Sequence, residues 1–407
     1  MTGSVPQRCP SDRLPLATGL PAHSQLVDRL QSSKQSSCSG RAERLRSRGT
    51  AVDDKPLAGN VPEKGRAKSS FMQERMEFLE EDLSHLFDER GLDQSQYDDK
   101  VNFMDPLTKF SSVKGYMFNI AMLKRLFAPD FQLHDIRQTG DYEITTRWTM
   151  IMQFTLNRIS PLRRFWDPKL IFTGVSIMGI NKENGKVNAH IDLWDAVKNN
   201  KWFSLEAASH VGGQMTSLMR SPDLDSFSYT ILRKTKDYEI RRFEPFQVIE
   251  AQIDSTEGSS DSGSGQKDPA ARATGAFRAL VGFLTGNNKS QEKYKMTMPV
   301  LTDTGGTMRF ILPLSADSKS IPEPSSSEVK TSRQPGGLWA ARTFSGAANT
   351  QTSQQQADLL RQALLRAGLK PNSEQWVLAR YNDPSTRPLF RRNEVLMPVD
   401  GFSLWGN

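Results

Sequence analysis

"GAFRALVGFL", residues 275–284, and "ADLLRQALLRA", residues 357–367, set the same pattern twice. Ala276, Phe277, Leu280, Val281 and Leu284 in the first stretch fall at i, i+1, i+4, i+5 and i+8. Leu359, Leu360, Ala363, Leu364 and Ala367 repeat that spacing in the second. It lines one face of an α-helix with apolar side chains. Two strand-like runs follow each predicted helix: "YKMTMPVLT" and "TMRFILPL", then "EQWVLARYND" and "NEVLMPV". At least one precedes each: "YEIRRFEPFQVIEAQ", then "LWAARTFSG". A strand, helix, strand, strand unit used twice predicts an antiparallel sheet or open barrel with two helices packed on it.

The run "KYKMTMPVLT", residues 293–302, is the most suggestive strand of this half. Alternation sends Met296, Met298 and Val300 to one face and Thr297 and Leu301 to the other. Methionine fills irregular cores, lines adaptable binding surfaces and ligates soft metals or haem iron. Pro299 marks an edge or a bulge, because it cannot donate to a ladder. Two polar, Ser- and Gly-rich stretches, 254–270 and 315–333, read as mobile surface loops.

The first half has a different order. "FMQERMEFLEEDLSHLFDERG" from Phe71 reads as an amphipathic helix, with Gly91 suited to its C-terminal end. A second helix is expected near 112–127. "FQLHDIRQ", "YEITTRWTMIMQFTLNRI", "KLIFTGVSIMGIN" and "KVNAHIDLWDAV" then read as long antiparallel strands. Helices followed by a meander describe an α+β domain over 71–210, with 211–225 as a linker to the half spanning 226–407.

The chain has 407 residues and a formal net charge of +7. Residues 1–50 hold eight basic and three acidic residues and nine serines, so most of the excess sits there. An Arg-rich, Ser-rich, acid-poor start is the composition of an organelle transit peptide, and 51–70 reads as a linker. With that segment set aside, charge gives a nucleic-acid partner little support. Both cysteines, Cys9 and Cys38, lie in it. A mature chain without it has no thiol for catalysis, metal ligation or a disulfide. No apolar run approaches the roughly eighteen residues that span a bilayer.

"YEIRRFEPFQVIEA", "KYKMTMPVLT", "MRFILP", "ARTFSG" and "WVLARYNDPSTRPLFRRNEVLMPV", in that order, resemble the SOUL haem-binding family over residues 226–407. "DPLTKF", "GYMFNI", "LHDIRQTGDYEITTRWTMIMQF", "FTGVSIMGIN", "HIDLWDAVKNN" and "FSLE" resemble a plant and algal domain of unknown function with a nuclear-transport-factor-2-like cone shape. "LNRISPLRRFWDPK" departs from the shorter connection of that domain. The pairing implies a chloroplast protein, and a haem or related tetrapyrrole as ligand.

Haem is an apolar disc with two carboxylates on one edge, so a site for it needs apolar walls and cations at the rim. Every histidine (His23, His85, His134, His190, His210) lies before residue 226, so the SOUL half has no histidine or cysteine to serve as a strong axial ligand. Some members of the family also lack an axial histidine. The resemblance then implies reversible, non-covalent binding suited to transport, buffering or scavenging. Candidate wall residues are Phe277, Leu280, Val281, Leu284, Met296 and Met298, each in competition with core packing. Arg241, Arg242, Lys293 and Lys295 are candidates for the propionates. Arg391 and Arg392 read as structural, pairing with loop carboxylates. Met296, Met298 and Tyr294 are the remaining conceivable axial ligands.

In the first half, Arg147, Trp148, His190, Asp192, Trp194 and Asp195 put polar groups among large apolar ones, as a cone cavity would. His190 and Asp192, two apart, share a strand face without necessarily touching. A histidine–carboxylate pair there supports acid–base work or a purely structural role. The alternatives to a carrier are therefore a cofactor-independent enzyme using that cavity, or a non-catalytic scaffold at a plastid lipid surface.

Overall fold

The computed structural model describes residues 63–155, 168–198, 202–217, 227–253, 269–313, 321–371 and 374–405, with positions 200, 219 and 224. The expected leader, most of the first linker, 156–167, 254–268 and 315–320 lie outside the described residues.

Helix α1 spans Glu63–Ser84. Met72, Leu79 and Leu83 are buried along one face of it, as their spacing requires. It starts earlier than Phe71 and ends before Gly91, which instead takes φ +65° in the following loop. Asp82 closes that loop by accepting from the Asp93 amide at 2.8 Å and the Tyr97 hydroxyl at 2.9 Å. Strands β1 (Tyr97–Met104) and β2 (Lys109–Phe110) come next, then helix α2 (Val113–Leu126). Ser112 caps α2 by accepting from the Gly115 amide at 3.2 Å. The long strands β3 (Phe127–Gly140), β4 (Glu143–Phe154), β5 (Lys169–Ile180) and β6 (Val187–Trp194) complete a six-stranded sheet ordered β2-β1-β6-β5-β4-β3. Only the β1–β6 pair is parallel.

Helix α3 (Leu205–Met215) runs past residue 210 into the expected linker. Packing explains the extension. Val211 and Met215 lie against the Trp148–Trp194 cluster, and the Gln214 carboxamide pairs with both backbone groups of Ile171.

The second half contains β7 (Tyr229–Lys234), β8 (Glu239–Phe243), β9 (Phe246–Gln252), helix α4 (Pro269–Leu284), β10 (Val300–Asp303) and β11 (Thr307–Ile311). Then come β12 (Val329–Gln334), β13 (Gly337–Phe344), helix α5 (Thr350–Arg366), β14 (Lys370–Pro371), β15 (Val377–Arg380) and β16 (Asn393–Asp400). The sheet order is β12-β9-β11-β10-β15-β16-β13-β8-β7, with β14 beside β16. The duplication read from sequence is literal. The first unit gives β9-β11-β10 and the second gives β13-β16-β15. They meet in mirror order where β10 pairs antiparallel with β15. Each unit also lends its leading strand to the other, since β8 pairs with β13 and β12 with β9. The curled antiparallel sheet and its two helices match the expected α+β architecture.

Helix α4 covers Ile249, Met308 and Phe310; α5 covers Ile240, Ala340 and Val395. The opposite face of the sheet carries its own core of Phe227, Phe243, Leu301, Leu396 and others. Part of the stretch expected to be a loop, 315–333, is in fact strand. Val329–Gln334 pairs residue for residue with β9, and Val329 is buried under α4. Lys330, Thr331 and Arg333 are exposed, which disguised it as a loop.

Residues 61–407 pack as one unit. β7 lies against the first sheet, whose outward side chains hold its backbone. Thr149 donates to the Ile231 carbonyl at 2.5 Å and Arg147 to the Leu232 carbonyl at 3.0 Å. The Lys234 amide donates to Thr173 at 2.6 Å. A sheet edge that would otherwise be open is thus covered.

Candidate functional site

In the second half, Leu280 and Leu284 are fully buried between α4 and the sheet. Val281 is half-buried beside them, and Phe277 is 37% exposed, its ring edge-on to Phe310 at 5.3 Å. The methionine run does not alternate as expected. Regular strand begins only at Val300, after a cis Met298–Pro299 peptide. Met298 packs with Leu301 on the face away from α4, whereas Val300 packs beneath α4. The proline breaks the period of two, so Met296, Met298 and Val300 do not share a face. Met296 is 39% exposed, and Thr297 is buried, donating to the Ile311 carbonyl. The candidate wall therefore divides: Leu280, Leu284 and Met298 are core, while Phe277, Val281 and Met296 remain within reach of a ligand.

The cations divide as well. Arg242, Lys293 and Lys295 are exposed. Arg241 is not available for a propionate. It is 1% exposed and forms two parallel hydrogen bonds to Glu394, at 2.6 and 2.9 Å, with a third to Glu239 at 2.9 Å. Its guanidinium lies over the Tyr229 ring at 4.4 Å. It sits on the inward face of β8 because its neighbours Ile240 and Arg242 point the other way. Burial alone would raise the carboxyls of Glu239 and Glu394. The facing cations outweigh it, holding Glu239 down at about 2 and Glu394 well below the usual carboxylate range. Arg392 also pairs with Glu394, at 2.7 Å, whereas Arg391 donates to the carbonyls of Thr386 and Pro384 rather than to loop carboxylates. Burial and the bond to Glu292 push the Tyr294 phenol up to about 12, so it stays protonated and is a poor anionic ligand. Among the described residues no group of three or more His, Cys, Asp or Glu side chains could hold a metal ion.

In the first half, α1, α2 and strands β1 and β3–β6 line a partly open cavity of about 50 Å³, room for a few water molecules. Alternation on β6 aims His190, Asp192 and Trp194 into it. Across the sheet Ser176 stands opposite Asp192, and Trp148 enters from β4. Gly174 leaves space for that indole: a Cβ there would meet the Leu193 carbonyl at 2.3 Å and the Trp148 ring at 3.0 Å. A hydrogen-bonded chain crosses the wall. The Trp148 indole donates to Ser176 at 2.8 Å, and Ser176 donates to Asp192 at 2.5 Å. Asp192 lies 3.0 Å from His190 Nε2, and His190 Nδ1 lies 2.7 Å from the Tyr116 hydroxyl. Asp105 lines the same space; burial, aided by nearby Asp192, raises its carboxyl to about 6.

Arg147 and Asp195, expected in this cavity, are not in it. They pair with each other on the outer face and hold β7. Odd and even residues of β4 face opposite ways, so Trp148 and Arg147 cannot both point inward. Sequence reading singled out His190, Asp192, Trp148 and Trp194 here, but not Tyr116, Ser176, Asn119 or Asp105. All four fall within stretches read as motifs and not as a site: Tyr116 and Asn119 in "GYMFNI", Ser176 in "FTGVSIMGIN" and Asp105 in "DPLTKF".

Residues 224–398 match the family described as SOUL heme-binding protein. The second half matches that family over most of its length. Ahead of it, residues 73–190 match a family of uncharacterized conserved proteins, DUF2358. No curated protein matches the chain. Solved structures similar to it include an NTF2-like protein of unknown function from Exiguobacterium sp. 255-15, at 15% identity over 31% of this chain and 99% of that one, TM-score 0.24. A hydrolase from Listeria innocua is similar at 13% identity over 40% and 92%, TM-score 0.28. An LEH-like epoxide hydrolase of M. tuberculosis follows at 11% over 36% and 95%, TM-score 0.26. No helix among the described residues is long and apolar enough to cross a membrane.

Proposed function

We propose that the SOUL domain binds haem or a related tetrapyrrole reversibly and without covalent attachment, as a carrier, buffer or scavenger in the plastid and not as an enzyme. The observation that carries this reading is the SOUL match over a segment that contains neither histidine nor cysteine. A haem-binding framework without strong axial ligands favours contact over ligation, and exchange over redox or oxygen chemistry. The side chains left open fit that mode: Phe277, Val281 and Met296 offer apolar surface, and Lys293, Lys295 and Arg242 offer charge for propionates. A bound tetrapyrrole would supply a chromophore and a metal centre; the chain would supply contact surface and counter-charge. The Arg- and Ser-rich leader supports the plastid assignment.

Titration of the full chain with haemin, and separately with metal-free protoporphyrin, tests the proposal. Both should bind and compete. A chain that binds neither, or that binds haemin while ignoring the metal-free ring, refutes it.

A further inference from the structure

The cavity of the first domain is unassigned, and its polar groups can be accounted for one by one. An indole N–H only donates, so Ser176 accepts from Trp148 and must give its own proton to Asp192. Asp192 also pairs with His190 Nε2, and His190 Nδ1 pairs with the Tyr116 hydroxyl. Asp105 accepts from the Leu107 and Thr108 amides at 2.7 and 2.5 Å and from the Thr108 hydroxyl at 2.9 Å. Every one of these groups is committed.

Asn119 is the exception. It is 97% buried by its 3% exposure, lies on the inward face of α2 one turn from Tyr116, and lines the cavity. Its carboxamide borders the cavity space instead of being sealed away from it, so it has hydrogen-bonding capacity left for a ligand. The rest of the lining is apolar and largely aromatic, with Phe103, Phe131 and Trp194 among it. It contains two carboxyl groups and no lysine or arginine, so an anion finds no counter-charge there. A cation finds both carboxyl groups already supplied with donors.

We infer that this cavity is a binding site for a small uncharged molecule, apolar except for one amide, carbonyl or hydroxyl group that pairs with Asn119. The chain from Trp148 to Tyr116 fixes the wall around it, and Asn119 sets which ligands are accepted. The site lies in a different domain from the proposed tetrapyrrole surface and does not depend on it.

Three probes of one size and different charge test this on the full chain: isobutyramide, isobutyrate and tert-butylammonium, read by saturation-transfer NMR and calorimetry. Isobutyramide should bind, with the two ions weaker by about tenfold or more. Asn119→Leu, of the same branched outline but without the polar atoms, should weaken isobutyramide about tenfold. Should that variant fail to fold, intermolecular NOEs decide on the unaltered protein; they should run from the isobutyramide methyls to the rings of Trp148, Trp194 and Tyr116. Equal binding of either ion, unchanged binding by Asn119→Leu, NOEs to other residues, or no binding of isobutyramide at all overturns the inference.

Discussion

Arg241 and Glu394 stand 153 residues apart in sequence and meet through two parallel hydrogen bonds, with the arginine side chain 1% exposed and the glutamate 0%. β13 lies between their strands, so the pair spans the sheet from β8 to β16. Removing one partner leaves the other charge buried, which costs far more than the pair contributes when intact. Arg241→Leu should therefore destabilise the chain by about 3–5 kcal/mol. Denaturant unfolding measures it. A loss below about 1 kcal/mol would show that the pair is not buried as described.

The same cluster sets an acid limit. Burial pushes Glu239 up, but Lys234 and Arg241 pull it down further, to about 2 from an ordinary 4.5. A carboxyl depressed in the fold contributes stability above its unfolded value and loses it as pH falls toward the folded one. Stability should drop between pH 4.5 and about 2, and Glu239→Gln should flatten that slope. Thermal unfolding across the range gives both curves.

Asp105 has the opposite sign. Its carboxyl, raised to about 6 from an ordinary 3.8 by burial and then by Asp192, takes up a proton more readily folded than unfolded. Lowering pH from 6 to 3.8 should therefore add stability at this one site. Carbon-13 labelling of the aspartates should reveal a carboxyl titrating near 6 that is lost in Asp105→Asn.

If tetrapyrrole binds to open rather than core side chains, variants will separate the two. Phe277→Asp and Lys295→Glu should weaken protoporphyrin binding at least about tenfold, with unfolding free energy changed by about 1 kcal/mol or less. Met298→Ala should cost about 2–4 kcal/mol of stability and leave the absorption maximum of bound haemin in place. A shifted maximum in that variant would make Met298 a ligand.

Arg147 and Trp405 contribute to the contact between domains. Arg147 pairs with Asp195 at 2.9 Å and also holds the Leu232 carbonyl; Trp405 donates to Asp135 and lies under Arg137 at 3.8 Å. Arg147→Ala should cost about 2–4 kcal/mol in denaturant unfolding. A loss below about 1 kcal/mol would mean that β7 docks without it.

The duplicated sheet was legible because its signal is periodic and local: two helices with one spacing, each between strands. The first domain was legible for a similar reason. What the sequence could not show was contact across distance. His190 and Asp192 lie on one strand and could be paired in thought, but Tyr116 is 74 residues from His190 and Ser176 sits on another strand. Arg241 looked like a free cation because Glu394 is remote in sequence. The methionine run failed differently. Pro299 interrupted a period that two methionines had made persuasive, and Val329–Gln334 passed for a loop because Val329 is its one apolar residue.

Because each repeat lends its first strand to the other, neither possesses a complete sheet. β16 lies between β15 and β13. Without Asn393–Asp400, β12, β9, β11, β10 and β15 would have no link through the sheet to β13, β8 and β7. The last long strand in chain order is the one that joins the two repeats, so the sheet is continuous only once the chain is nearly at its end.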